Sequence, residues 1–332
     1  MYPKVIVIGD PHFKVNNVKE TDEMVSAILE VCNDHKPDFI VVLGDVLDRH
    51  ETIHVSPLVR ATDFLRKLKE ISHTYVLIGN HDLKNNRQFL SNEHPFSPLL
   101  EWSNLTVVDT TTSNIIKGKK FVFVPYVPPG RFVEALDKIE NWKEAQCIFA
   151  HQEFKGAKMG AIVSEEGDEW PLEYPQVVSG HIHDYQELQQ NVLYTGTPIQ
   201  HTYGDRHDKT ISLFTFCEQT QHKRIPLKVQ KKLIVKLSCQ EVSDYKPQTN
   251  YDLKIIITGT SAEIRAIMKH PNVESWKKLG HKIAYKDVPV ERESIQVTPL
   301  KPLKFSTTLY NAVSGNEKLE TIYKKLFGVV NS

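Results

Sequence analysis

Short apolar runs recur along the first 180 positions, and each ends on a polar residue. Val5 to Ile8, Phe39 to Leu43, Tyr75 to Ile78, Cys147 to Phe149 and the pair Val177, Val178 are the runs in question. Their length is that of strands, and unbroken apolarity marks strands buried on both faces. Between the first two, Val25, Ile28, Leu29 and Cys32 recur at helical spacing and predict an amphipathic helix over residues 21–34. Leu58, Ala61, Phe64, Leu65 and Leu68 predict a second, with Pro57 near its first turn. A βαβαβ opening of this kind implies a parallel central sheet with helices packed on it.

After residue 100 the pattern shortens. Residues 105–108, 113–116 and 120–124 read as strands with little between them, which predicts an added antiparallel portion. Residues 132–139 are helical, 146–150 return to strand, and 192–194 and 211–217 read as closing strands. The expected class is α/β: a four-layer αββα core of two packed sheets with outer helices. Residues 223–230 read as a final strand or a linker. A small α+β capping domain follows, with strands at 233–239, 253–258 and 282–285 and a helix at 262–269. Three prolines among mixed charges mark a linker, and a tail with Leu309, Val313, Leu319, Ile322, Tyr323, Leu326 and Phe327 around Ser314-Gly315 has the spacing of a helix pair. The expected division is 1–228 core, 229–290 cap, 291–304 linker and 305–332 tail.

Composition changes this picture in one respect. With 40% hydrophobic and 25% charged residues the chain is ordinary for a globular protein, so wholesale disorder is excluded. No stretch has membrane-span length and apolarity, the N-terminus lacks a signal-peptide pattern, and the four widely spaced cysteines read as buried free thiols of a reducing cell interior. The net charge of zero is uneven, however. Residues 1–220 carry 21 basic against 31 acidic residues, and residues 221–332 carry 20 against 10. A basic last third suits a polyanionic partner.

The chemistry lies where the apolar runs stop. Gly9-Asp10-Pro11-His12, Gly44-Asp45-Val46-Leu47-Asp48, Gly79-Asn80-His81-Asp82, Ala150-His151 and Gly180-His181-Ile182-His183 each follow one run, in that order. Open α/β sheets place their binding sites at strand ends. Any one of these segments is a weak signal; five in order complete two coordination shells. Two divalent ions held about 3.5–4 Å apart clamp a phosphate and activate water, and such a pair needs a bridging carboxylate with neutral donors around it. Asp45, ending the central strand of the opening unit, is the expected bridge. Asp10, His12 and His183 are assigned to one ion, and Asn80, His151 and His181 to the other. Carboxylate, imidazole and amide ligands favour manganese, iron or zinc over calcium. His81, beside a ligand, is the candidate general acid, with Asp82 or Asp48 to orient it.

Together these blocks resemble those of the calcineurin-like metallophosphoesterases: Asp-x-His, Gly-Asp-x-x-Asp, Gly-Asn-His-Asp, His and Gly-His-x-His, spanning residues 9–184. Within that superfamily the chain is most similar to SbcD-type nucleases that process DNA double-strand breaks, in a compact phage or viral version. Gly79-Asn80-His81-Asp82 fits that branch, and residues 194–200 (Tyr-Thr-Gly-Thr-Pro-Ile-Gln) resemble its strand and turn after the last metal motif. Asp48-Arg49 matches the phosphate-holding Asp-Arg of protein phosphatases, but His50 follows where those enzymes have Gly. The resemblance implies two bound metal ions, most often Mn2+, a homodimer formed through the first helices (Phe64, Leu65, Leu68), and a tail docking through Leu309, Leu319, Ile322, Tyr323, Leu326 and Phe327 on the coiled coil of an SMC-like ATPase.

Two basic segments are candidate DNA contacts. Lys155 and Lys158, with Trp170 and Tyr174, lie in the loop between two ligand motifs, and Lys223, Arg224, Lys228, Lys231 and Lys232 lead into the second domain. The expected activity is metal-dependent hydrolysis of DNA phosphodiesters. The alternative is a stand-alone phosphatase or small phosphodiesterase acting on nucleotides or phosphoproteins.

Overall fold

The computed structural model describes residues 2–288 and 305–327, with Ser306 and Thr307 as backbone only. The expected linker over 291–304 and the last five residues of the tail lie outside the described residues. The chain begins with β1 (Lys4–Ile8), α1 (Val18–His35), β2 (Phe39–Val42), α2 (Val55–Ile71), β3 (His73–Leu77) and β4 (Leu105–Val108). It continues through β5 (Thr112–Ile116), β6 (Lys119–Val124), α3 (Phe132–Leu136), β7 (Cys147–Ala150) and the small hairpin β8 (Lys158–Met159) and β9 (Ile162–Val163). Then come β10 (Val177–Ser179), β11 (Gln186–Gln189), β12 (Val192–Tyr194), β13 (Thr210–Thr215) and β14 (Gln221–Pro226).

Two six-stranded sheets result, ordered β14-β13-β1-β2-β3-β4 and β11-β12-β10-β7-β6-β5. In the first, β1 to β4 are parallel neighbours, and β13 returns antiparallel to β1. In the second, β6, β7, β10 and β12 are parallel and only the edge strands β5 and β11 run against them. The antiparallel portion predicted after residue 100 is therefore corrected. The β5–β6 hairpin is antiparallel, but β4 extends the first sheet and β6 begins a second, mainly parallel one.

Period-two alternation explains the layers. On β1, Val5 and Val7 face the core between the sheets, with Phe39, Phe121, Phe123, Phe149 and Phe214. Ile6 and Ile8 face the opposite way, packing with Met24 and Ile28 of α1 and Phe64, Leu65 and Leu68 of α2. Both faces of the strand are thus covered, which is why the run carries no polar break. The same packing removes Phe64, Leu65 and Leu68 from the expected dimer face: all three are fully buried within the chain. The outer layer on the second sheet is thin, being α3 and loops built around Phe132, Trp142, Phe154 and Trp170.

A third sheet forms a separate small core. Its strands β15 (Lys231–Ser238), β16 (Tyr251–Gly259) and β17 (Lys282–Asp287) are parallel, with α4 (Ser261–Ile267) and α5 (Pro271–Lys278) among them. Leu253, Ile255, Ile257, Val273 and Trp276 fill it. Sequence reading missed α5, which buries only Val273 and Trp276. A capping box, Thr260 with Glu263, starts α4. The tail is a helix pair, α6 (Phe305–Val313) and α7 (Glu317–Phe327), turning at Gly315 with φ 96°.

Candidate metal centre

Parallel pairing sets the C-terminal ends of β1, β2 and β3 side by side, and likewise those of β7 and β10. The turns that follow meet across the two sheets. Three of their residues, His12 (φ 45°), Asp45 (φ 46°) and His181 (φ 79°), hold a left-handed backbone that side-chain-bearing residues seldom adopt. Each such conformation costs about 1–3 kcal/mol and persists only when its surroundings impose it. Close packing of the turns does so: a Cβ at Gly79 would strike the Asp45 carboxylate, and one at Gly180 would strike Asp10 Oδ1.

Two groups of ligand atoms form there. Those of Asp10, His12 and His183 all lie within 4.8 Å of one another, and so do those of Asp45, His151 and His181. His12 Nε2 faces His183 Nε2 at 3.0 Å. Asn80 Oδ1 joins the second group, 2.9 Å from His151 Nε2 and 3.0 Å from His181 Nδ1. Asp45 reaches both groups, with Oδ1 3.4 Å from His151 Nε2 and Oδ2 3.8 Å from His12 Nε2. A shared carboxylate has this placement.

The electrostatics are those of a site built for cations. Asp10, His12, Asp45 and His151 are almost wholly buried, and Asp10 Oδ1 and His12 Nδ1 have no hydrogen-bond partner among the described residues. Burial, reinforced by the neighbouring Asp45 charge, pushes Asp10 up to about 8 and Asp82 up to about 7. Burial acts upward on Asp45 as well, but His151, His12 and His81 outweigh it and hold that carboxyl well below the usual range. Burial acts downward on His151, yet Asp45 and Asp10 outweigh it and raise the imidazole to about 9. Burial lowers His12 and His183. Divalent cations would relieve the unfavourable protonation of Asp10 and engage its orphaned Oδ1. The residues present fit a pair of such ions.

A further layer of contacts fixes the donors. His151 Nδ1–H donates to the Leu43 carbonyl at 2.8 Å, which makes Nε2 the ring nitrogen that would face an ion. His181 Nε2 lies 3.6 Å from Glu153 Oε2, and its proximity holds Glu153 below its ordinary value. His81 Nδ1–H donates to the Asp48 backbone carbonyl at 2.7 Å, and its Nε2 stands 4.0 Å from Asp45 Oδ2. The expected carboxylate partners of His81 are thereby corrected. The Asp48 carboxylate goes to Lys14 Nζ at 2.6 Å and lies 3.6 Å from His12 Nδ1. Asp82 instead accepts from the backbone N–H groups of Val46, Leu47 and Gly79 at 2.9–3.2 Å, tying two ligand turns together.

Residues 3–210 match the family described as calcineurin-like phosphoesterase. The chain belongs to that family. It is 45% identical to the "Putative phosphoesterase 244L" of Invertebrate iridescent virus 6 over 279 residues, 80% of this chain and 98% of the relative. To the "Putative phosphoesterase 078R" of Invertebrate iridescent virus 3 it is 39% identical over 330 residues, 96% and 95% of the two chains. Among solved structures, an archaeal phosphodiesterase aligns at 12% identity and TM-score 0.37, covering 67% of this chain and 99% of that one. GAP50, the anchor in the inner membrane complex of Plasmodium, aligns at 12% and 0.41, covering 87% and 98%. As a calcineurin-like phosphoesterase the chain is a hydrolase of phosphate esters with a divalent-metal site. No helix among the described residues is long and apolar enough to cross a membrane.

The basic candidates around this phosphoesterase centre scatter. Lys158 lines a 320 Å3 cavity with His181 and His183, while Lys155 pairs with Glu169 at the loop surface. Lys223 and Lys231 are exposed, Arg224 lies over the Tyr185 ring and pairs with Asp208, and Lys228 pairs with Glu30. Lys232 leaves the set of phosphate contacts. Its side chain is buried, 3.4 Å from Glu20, and its backbone N–H donates to Gln200. Trp170 and Tyr174 likewise cannot stack on bases as expected: Trp170 is buried against Trp142 and Phe132, its indole N–H on the Pro175 carbonyl, and Tyr174 packs edge-on to both tryptophans. Of the tail residues, Leu319, Ile322, Leu326 and Phe327 are exposed, Leu309 is half-buried, and Tyr323 is buried against Tyr310 and Phe327.

Sequence reading missed three neighbours of the centre. Glu153 follows His151 by two residues but sits in no motif. His50 stacks on His81 with ring centroids 4.8 Å apart. His201, which directly follows the 194–200 segment, lies 5.0 Å from the His12 ring and donates from Nε2 to the Asp10 carbonyl at 3.2 Å. Burial lowers it to about 3, so the ring is neutral.

Proposed function

We propose that this phosphoesterase is a metal-dependent DNA nuclease acting on double-strand ends. One observation carries the reading: the basic third unit is fastened to the metal rim itself. The Gln200 side-chain amide accepts from the Lys232 backbone N–H at 2.9 Å and donates to its carbonyl at 3.2 Å, and neighbouring Tyr203 carries the Lys282 ammonium 5.1 Å above its ring. Gln200 is the residue before His201, so β15 starts beside the rim, with Lys231 exposed next to that contact and Lys236 exposed farther along the strand. A polyanion longer than one phosphate would engage both.

The bound ions would supply charge neutralisation and activation of water. The chain's own groups do the rest. The attacking oxygen joins phosphorus, the bond from phosphorus to the 3′ oxygen breaks, and that oxygen needs a proton. His81 is the group to deliver it, because Nδ1 is pinned on Asp48 and only Nε2 faces the centre. Arg49, which borders cavities on both sides, is placed to meet a phosphate oxygen.

Purified protein with manganese, assayed side by side on linear duplex DNA, cyclic nucleotides and p-nitrophenyl phosphate, tests the reading. Cleavage of DNA is expected; turnover of the small substrates alone would replace it with a stand-alone phosphodiesterase or phosphatase. The tail extends the proposal to a partner. Phe305, Leu319, Ile322, Leu326 and Phe327 are exposed apolar side chains on α6 and α7, which supports docking on the coiled coil of an SMC-like ATPase. Deleting residues 305–332 should abolish that association and spare metal binding; retained association would place the interface elsewhere.

A further inference from the structure

The two ion groups are not backed alike, and the difference lies one layer out from the ligands. In the group of Asp10, His12 and His183, the His12 nitrogen turned toward its neighbours is Nε2, 3.0 Å from His183 Nε2. Its outer nitrogen, Nδ1, stands 3.6 Å from Asp48 Oδ1. In the group of Asp45, His151 and His181, the inward nitrogen of His181 is Nδ1, 3.0 Å from Asn80 Oδ1. The outer one, Nε2, stands 3.6 Å from Glu153 Oε2. Each group therefore has one histidine with a carboxylate behind it, at the same distance.

The carboxylates differ in what neutralises them. Lys14 Nζ lies 2.6 Å from Asp48 Oδ1, so an ion beside His12 meets a carboxylate and an ammonium together. No lysine or arginine among the described residues pairs with Glu153; Lys155, two positions on, pairs with Glu169. The first group also owns a carboxylate, Asp10. In the second, every donor except the shared Asp45 is uncharged when it ligates: Asn80, His151 and His181. Glu153 is the charge which that ligand set lacks. Its backbone is firmly placed, because flanking Gln152 and Phe154 are buried. Gln152 N–H donates to Ser179 Oγ at 2.9 Å, Phe154 N–H to the Tyr194 hydroxyl at 2.8 Å, and Asp168 N–H to the Glu153 carbonyl at 2.9 Å.

We propose that Glu153 is a positioning residue for the ion at Asn80, His151 and His181, acting through the outer nitrogen of His181. A cation on Nδ1 leaves Nε2 as the nitrogen that carries the proton, and Glu153 is the acceptor behind it. The carboxylate fixes the angle of the ring, makes Nδ1 a stronger donor, and lends that half of the centre a negative charge. Asp48, offset by Lys14, does so only weakly for the other half. This role needs the ion pair and no particular substrate, so it stands or falls apart from the nuclease reading.

Titration of the metal-free protein with Mn2+, followed through the paramagnetic resonance signal of the free ion, tests it. Two binding steps are expected. Glu153→Gln, which keeps the shape and removes the charge, should weaken one step by about 10–100-fold and leave the other within about twofold. In a His181→Ala background the same change should cost no further affinity. Removing Lys14 and Asp48 together, as Lys14→Met with Asp48→Asn, deletes a neutral pair and should cost either step less than Glu153→Gln does. Unchanged affinity at both steps, an undiminished effect without His181, or an equal loss on deleting the Lys14–Asp48 pair would overturn the role. Weakening of both steps alike, with a lowered melting temperature of the metal-free variant, would mark Glu153 as structural and overturn it too. A single step in the unsubstituted protein would overturn it along with the ion pair, whether or not DNA is cut.

Discussion

The metal rim and the basic third unit hold their charges in opposite ways. At the rim, Asp10, Asp45, His12 and His151 are buried, and each is placed by a named partner or by the need for a cation. On β15, Lys231 and Lys236 are exposed, and of its lysines only Lys232 is fixed, by Glu20 and Gln200. A buried charge without compensation is too costly to keep, so its position in the sequence is tightly constrained. An exposed lysine is solvated wherever it stands. The difference separates the rim, where residue identity dictates chemistry, from the third unit, where only the collective charge does.

Substitutions at the rim should have the largest effects. Asp45→Ala removes a carboxylate whose two oxygens face the two ligand groups. Activity on any phosphodiester is expected to fall roughly a thousandfold, with metal content by plasma emission spectrometry dropping below two ions per chain. Retention of two ions would show that Asp45 is not shared. His81→Ala should separate chemistry from binding, with kcat falling about 10²–10⁴-fold and metal stoichiometry near two. Full activity, or a single metal, would remove His81 from the proton-delivery role.

Acidity provides the next contrast. Asp10, Asp82 and His151 are raised in the metal-free fold to about 8, 7 and 9. A raised group contributes stability that is complete below its unfolded value and lost as pH climbs through its folded value. The metal-free protein should therefore lose thermal stability between about pH 4, where the unfolded aspartates ionise, and pH 9. Asp45, held low, contributes unchanged across that window. Manganese, binding the ionised forms, should widen the Tm difference between loaded and metal-free protein as pH rises. Calorimetry showing a metal-free Tm that increases over this range would contradict the burial argument.

The smallest effects are expected on β15, and they differ between adjacent residues. Lys232→Ala should cost about 1–3 kcal/mol in urea unfolding, because it strands the half-buried Glu20. Lys231→Ala should change stability by less than about 0.5 kcal/mol. It should instead reduce the slope of log K against log salt for DNA binding by about 0.9. Equal stabilities for the two variants would mean that the contact with Glu20 does not stabilise Lys232.

The same contrast explains what the sequence revealed. The strands of the central sheets had to be apolar on both faces, so the first carboxylate, amide or imidazole residues after Ile8, Leu43, Ile78, Phe149 and Val178 marked the rim. Glu153 and His201 escaped notice because no apolar run leads into them; each is brought to the centre by a loop. The orientation of the second sheet was hidden too, since strands as short as β7 and β10 read alike in parallel and antiparallel pairings. Lys232 departs from expectation because one lysine in a basic run carries no mark of what packs over it. Its burial depends on Gln200, 32 residues earlier.

The central claim is a pair of ions that share Asp45 at the strand ends. Anomalous diffraction from crystals grown with manganese tests it most directly. Two peaks about 3.5–4 Å apart, one against Asp10, His12 and His183 and the other against Asn80, His151 and His181, with Asp45 between them, are the predicted result. A single peak, or two that do not both contact Asp45, would contradict it.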